Sequence, residues 1–419
     1  MRPAITTSTT AMSAWGRTSD PQPRSSIPAV TRRALGICVC ALLPLVAADF
    51  AFCAAAHLAK PAFQYQTEGI AVPAATADEP KVGTFDAATI QSALKYLDDG
   101  ARAWSREKRC VACHTTGSYL MERPALTKLV GRPSEEILAL FVRTIPEELP
   151  EPKVNAGVTY YPQAENSVWR AAGLAEWDRH VTGKLSAPTE RALRDMLLRQ
   201  SGHGGYLVLG EVEIPHFTTD YELTLQAARA IATAPGWLAS LKDADLLRRV
   251  DRMKFFLRGS QARNDYERAL RLQLATVMPD LVTKAERESA VALLWEKQLP
   301  DGGWSTRRMS DPRNWGVEVS DPTLQFIASQ SDAADPGSDS YMTAFAIVLL
   351  RESGVPAGDA RIQRGIAWLK REQRVSGRWW MQSLYRGKYH FTTFIATCQA
   401  LKALALCGEL PIGDAKGNP

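Results

Sequence analysis

Cys110-Val-Ala-Cys113-His114 concentrates more reactive side chains than any other stretch of the chain. Two thiols one helical turn apart can each add across a vinyl group on one porphyrin edge, and the adjacent imidazole can then take an axial iron position. The spacing predicts covalent haem c, with Cys110 and Cys113 as anchors and His114 as proximal ligand. Two rival readings use the same residues. A structural zinc site needs four ligands, and no second Cys/His pair stands nearby. A redox dithiol needs a βαβ surround, which the flanking pattern lacks.

The run from Trp104 through Cys110 and Cys113 to His114 and Thr115 resembles the haem-binding segments of cytochrome c proteins over about fifteen residues. What this resemblance implies is electron transfer or other haem redox work, with a redox partner protein. Met121 is too close in sequence to reach the far face of the ring easily, and the sixth iron ligand stays open among Met196, His180, His203, His216 and His390. An unfilled sixth position would admit small ligands or peroxide instead. Catalytic residues stay unassigned.

Covalent haem is attached outside the cytoplasm, and the first residues of the chain agree with that. Arg32-Arg33 precede an apolar run from Ala34 that closes in Cys53-Ala-Ala-Ala56. A positive flank, an apolar stretch and small residues at its end form a secretory signal, so residues 1–56 are expected to act as a signal peptide or membrane anchor. Residues 57–82, with Pro61, Pro73 and Pro80, read as a linker. The remainder is expected to be periplasmic, or anchored and facing the periplasm, with membrane contact confined to the N-terminal segment.

Of the net charge of +5, five Arg against two Asp place +3 in residues 1–56. The body is therefore almost neutral and offers nucleic acid no electrostatic footprint. The 419 residues are 45% hydrophobic and 23% charged, ordinary globular composition that excludes a disordered chain, a fibre or a multi-pass membrane protein. Cys398 and Cys407 fall in an apolar helical stretch and read as small buried hydrophobes.

The elements that must position the Cys–His motif are helical. Asp86 is an N-cap for a helix with Ile90, Leu94, Leu97, Ala101 and Trp104 on one face, which leads directly into Cys110. Further helical patterns fall near 188–200, 220–234, 242–257, 263–278, 283–298, 340–353, 359–373 and 391–407, with no alternating run long enough for a central strand. The expected class is all-α. A haem-bearing helical segment over 83–187 precedes a repeat region over 188–419, or 83–419 forms one ring.

A repeated element punctuates these helices. Gln298-Leu-Pro-Asp-Gly302-Gly-Trp304 and Gln373-Arg-Val-Ser-Gly377-Arg-Trp379 share one spacing, and Gln200-Ser-Gly-His-Gly204-Gly-Tyr206 is a weaker copy. Each Gln is expected to pair carbonyls left over at its helix end, and each Gly to supply a left-handed turn. The basic run Arg248, Arg249, Arg252, Lys254, Arg258 reads as a solvated face.

These elements resemble the QW motifs of the squalene–hopene cyclase and prenyltransferase superfamily. That resemblance implies an (α/α) toroid of helix pairs, terpene cyclase-like, whose inner helices line an apolar cavity for an isoprenoid or lipid. The family's cyclases protonate an alkene from an Asp-x-Asp-Asp motif. Here Asp339-Ser-Tyr341-Met342-Thr343-Ala344 stands at the matching position with Tyr341 and Met342 in place of the acidic pair. An enzyme or binding protein for such an apolar molecule would therefore lack the usual acid; Asp339 is the nearest substitute, and it equally suits a helix cap.

Overall fold

The structure, a computed structural model, describes residues 65–208, 219–315, 319–384 and 391–411. The expected signal segment, His216 and His390 lie outside the described residues. The described residues belong to one compact unit.

Twelve principal helices run through the described residues: α1 (Ala87–Lys108), α2 (Ser118–Glu122, entered through a π turn at Cys113–Gly117), α3 (Glu135–Arg143), α4 (Ala164–Trp177), α5 (Ala187–Leu198), α6 (Asp220–Thr233), α7 (Ala244–Gly259), α8 (Asp265–Val277), α9 (Lys284–Glu296), α10 (Ser340–Glu352), α11 (Ala360–Glu372) and α12 (Phe391–Leu406). The boundaries follow local chemistry. Asp86, Ser186, Thr219, Asp243, Asn264, Thr283, Asp339 and Asp359 each cap a helix by accepting from its first-turn amides. The strands are two small antiparallel pairs, β1 (Gln66–Thr67) with β2 (Ile70–Ala71), and β3 (Lys153–Asn155) with β4 (Val158–Tyr160).

The even-numbered helices pack in sequence, α2 on α4, then α6, α8, α10 and α12, and α12 returns to α2. They form a closed inner ring, and each odd-numbered helix leads into the inner helix that follows it. The fold is an all-α (α/α) toroid of six helix pairs. Burial agrees with position in the ring. Outer α11 buries one stripe (Ile362, Gly365, Ile366, Trp368, Leu369), while inner α12 is buried from Thr392 through Leu404. Residues 87–177 supply its first two pairs.

The inner helices run parallel, because residues from their starts meet at one end and residues from their ends meet at the other. At the first end, the Tyr266 hydroxyl of α8 lies 2.7 Å from Glu222 Oε1 of α6 and 2.7 Å from the Tyr341 hydroxyl of α10. At the other, Arg229 of α6 donates to Glu122 of α2 and Glu176 of α4 at 2.8 Å each. Lys402 of α12 pairs with Glu122 at 3.1 Å and with Glu352 of α10 at 2.9 Å.

Three repeated staples tie the outer layer together. Gln200 Nε2 donates to Gly204 O (2.8 Å) and Arg249 O (2.9 Å), Gln298 to Gly302 O and Arg361 O (2.8 Å each), and Gln373 to Gly377 O (3.0 Å) and Thr89 O (3.1 Å). The amide thus holds its own turn and the next outer helix, rather than carbonyls of the helix it ends. The aromatic of each staple donates to the carbonyl ten residues upstream: Tyr206 to Met196, Trp304 to Leu294, Trp379 to Leu369. Its backbone amide donates to a threonine of the following inner helix, Thr224, Thr343 or Thr397.

The third staple closes the ring, since its outer partner is α1. The strap before α1 reinforces that seam: Val82 N donates to Gln373 O and Val375 N to Pro80 O, both at 2.9 Å. The basic run on α7 is less solvated than its charges suggest. Arg249 donates to Leu197 O and Leu198 O, and Arg252 to Ser201 O and Gly202 O, satisfying carbonyls in the last turn of α5 and just past its end. Among the described residues no helix is long and apolar enough to cross a membrane.

Candidate functional site

Cys110, Cys113 and His114 lie where α1 turns inward, at the end of the ring where the inner helices begin. Helix α1 stops at Arg109, whose left-handed backbone (φ 53°) reverses the chain. A π turn follows, in which Gly117 N donates to Ala112 O at 2.8 Å. Thr116 locks the turn from inside, accepting from Ala112 N at 3.0 Å and donating to Cys110 O at 3.3 Å. A Cβ at Gly117 would stand 2.8 Å from Ala112 O, so the turn requires glycine there.

Both cysteines are free, and each residue as a whole is half-buried. Burial, with the nearby carboxylates of Glu165 and Glu222, pushes the Cys113 thiol up to about 12. His114 lies stacked on Phe391, the first residue of α12, with ring centroids 3.5 Å apart. The edge of Trp104 meets it at 4.8 Å. Burial pushes the imidazole pKa down to about 3, so the ring is neutral at ordinary pH. Its Nδ1 lies 2.9 Å from Thr115 Oγ1, which orients the ring and leaves Nε2 for another role. Phe391 and Glu165 carry no sequence signal for this site; folding alone brings the first and last inner helices together.

The sixth-ligand candidates among the described residues separate clearly. His180 follows α4, pairs with Glu176 at 3.2 Å and belongs to the opposite end of the ring. Met121 is buried at that same end, its carbonyl accepting from Arg229. Met196 is a fully buried core residue of outer α5. His203 sits in the weaker staple, 3.1 Å from Asp220 and edge-on to Phe256. None of the four is brought to His114. Cys398 is buried on α12 and Cys407 half-buried, both free. Among the described residues no group of three His, Cys, Asp or Glu is placed to hold a metal ion, so a zinc site at Cys110 and Cys113 finds no further ligands there.

Asp339 is committed to structure. Its Oδ1 accepts from Met342 N at 2.8 Å and from Thr306 Oγ1 at 3.0 Å, and its Oδ2 accepts from Thr306 N. Tyr341 is buried and joins Tyr266 and Glu222. A carboxyl therefore reaches this part of the ring interior from α6 rather than α10.

Among solved structures the chain is similar to a type II terpene cyclase, MstE from Scytonema, at 15% identity and a TM-score of 0.42, covering 76% of this chain and 98% of that one. It is also similar to a wild-type glycosidase at 14% identity and a TM-score of 0.41, covering 78% and 86%. No family model and no curated protein matches the chain.

Proposed function

We propose that this chain is an exported haem c protein that carries its cofactor at the rim of a terpene cyclase-like toroid and performs electron transfer or related redox work. The observation that carries the proposal is one turn that holds two unpaired thiols and a neutral imidazole oriented through Nδ1. This donor set fits covalent haem. Cys110 and Cys113 would form the two thioethers and His114 Nε2 would hold the iron. When bound, the group supplies one-electron chemistry at its iron. Thr115 fixes the imidazole, while Trp104 and Phe391 pack against its ring. Export rests on residues 1–56, and a redox protein is the expected partner.

Expression in a host with cytochrome c maturation tests this reading. The mature chain should gain one haem in intact mass, and its reduced-minus-oxidised spectrum should be that of haem c. Cys110→Ala or Cys113→Ala should weaken attachment, and His114→Ala should change the spectrum. A bare-chain mass, colourless in solution, would overturn it.

A second reading concerns the ring interior. The hydrogen-bonded line from Tyr341 through Tyr266 to Glu222 supports an acid site acting on an apolar, isoprenoid-like molecule. Incubation with polyprenyl substrates checks it: turnover abolished by Glu222→Gln supports the assignment, and no product from the wild type removes it.

A further inference from the structure

We propose that Tyr65 is a positioning residue for the candidate haem site: acting through Thr115, its hydroxyl sets how strongly the His114 imidazole donates to iron. The inference rests on the haem reading above and extends it to a residue outside the Cys–His motif.

Tyr65 belongs to the stretch that composition reads as a linker, yet it is fully buried. It directly precedes β1, and Val72 N donates to its carbonyl oxygen at 3.3 Å, closing the hairpin of β1 and β2. Arg378 Nη1 donates to Pro73 O at 2.6 Å, so the chain just past the hairpin is fixed to the last staple. The Tyr65 ring packs in the seam between α1 and α12, with its centroid 5.5 Å from that of Phe394. Gly100 of α1 makes room for the pair, since a Cβ there would stand 2.8 Å from Phe394 Cε2 and 3.5 Å from Tyr65 Cδ2. From this slot the hydroxyl reaches the π turn, where Oη lies 3.2 Å from Thr115 Oγ1.

Tyr65 Oη, Thr115 Oγ1 and His114 Nδ1 thus form one line, with steps of 3.2 and 2.9 Å. Its direction is fixed once Nε2 holds iron, because the imidazole proton must then sit on Nδ1 and be donated to Thr115 Oγ1. Thr115 is fully buried, and among the described residues its hydroxyl has these two partners. The threonine hydrogen is therefore donated to Tyr65 Oη. A hydroxyl that gives its hydrogen onward is a better acceptor, so Tyr65 strengthens the bond from Nδ1–H and makes the imidazole more electron-rich. A more electron-rich axial ligand favours the ferric state.

Redox titration of the matured chain, followed by its absorption spectrum, tests the relay. Tyr65→Phe keeps the ring against Phe394 and removes only the hydroxyl. It should raise the ratio of reduced to oxidised iron at a fixed applied potential about three-fold. Thr115→Val breaks the nearer link and should raise that ratio about ten-fold. Thr115→Ser keeps a hydroxyl and should titrate like the wild type. In the Thr115→Val chain, adding Tyr65→Phe should change nothing further, whereas a packing role for Tyr65 would add its full effect. Fluorotyrosine in place of Tyr65 is a poorer acceptor; it should shift the ratio in the same direction, and it decides the matter should Tyr65→Phe fail to fold. A wild type that takes up haem and titrates like Tyr65→Phe, or a Tyr65→Phe effect undiminished beside Thr115→Val, overturns the relay and leaves the haem reading intact. A wild type that matures without haem overturns both.

Discussion

The His114 imidazole lies face to face with the Phe391 ring, 23° from parallel, and this contact joins the first inner helix to the last. It is at once part of the candidate haem site and part of the seam that closes the toroid. Phe391→Leu keeps apolar bulk and removes the stack, so it should cost about 0.5–1.5 kcal/mol. Phe391→Ala also opens space at a partly buried position and should cost about 2–4 kcal/mol. Urea unfolding of the haem-free chain checks both, and two variants as stable as the wild type would show that the stack adds nothing to the seam.

Arg229 is the centre of the charged floor at the opposite end. Two buried carboxylates, Glu122 and Glu176, depend on it, and of these Lys402 pairs directly only with the first. Its positive charge helps to hold Glu122 down at about 2 despite burial. Arg229→Met would leave Glu176 with only His180 beside it and should destabilise the fold by about 3–5 kcal/mol. Replacing Arg229, Glu122 and Glu176 together by apolar residues should recover much of that loss, because the penalty comes from stranded charge. Unfolding free energies of the single and triple variants provide the comparison; an equal loss in both refutes the stranded-charge account.

Gly377 tests the ring closure. It adopts φ 86°, and a Cβ there would lie 2.2 Å from Ala93 N on α1. Gly354 has nearly the same backbone, φ 93°, with nothing within 4 Å of the added atom. Gly354→Ala should therefore cost about 1 kcal/mol, the conformational penalty alone. Gly377→Ala should cost about 4 kcal/mol or more, since α1 must move away from the last staple. Melting curves of the two variants separate strain from collision, and equal losses would show that the seam yields easily.

These variants also show which parts of the molecule are legible in its sequence. Gln, Gly and aromatic recur at fixed spacing, so the staples and the helix pairs can be read directly. The threonines that complete the staples lie at 18, 39 and 18 residues from their aromatics, and that irregular interval conceals them. The chemistry of Cys110, Cys113 and His114 is local and readable, whereas Phe391 reaches the site only through closure of the ring. His180 reads as a ligand because it is an imidazole beside an irregular segment; the common direction of the inner helices places it at the far end.

Asp339 joins a capping role to a titration that can be measured. Burial raises its carboxyl from the usual 3.8 to about 6, against the hydrogen bonds from Met342 and Thr306 that favour ionisation. Below about pH 4 both folded and unfolded chains hold the proton. Between 4 and 6 the unfolded chain ionises first, so this residue's contribution to stability falls as pH rises, by at most about 1.4 kcal/mol per pH unit. Above 6 both states are ionised and the loss is complete. Asp339→Asn cannot ionise, and its amide nitrogen cannot accept where either oxygen of a carboxyl, protonated or not, still can, so the contact from Thr306 N is lost. The variant should therefore be less stable than the wild type at pH 4, and the gap should narrow by pH 7. Denaturant unfolding at those two pH values measures it, and a gap that stays constant or widens would mean that the carboxyl ionises in the folded chain as readily as in the unfolded one.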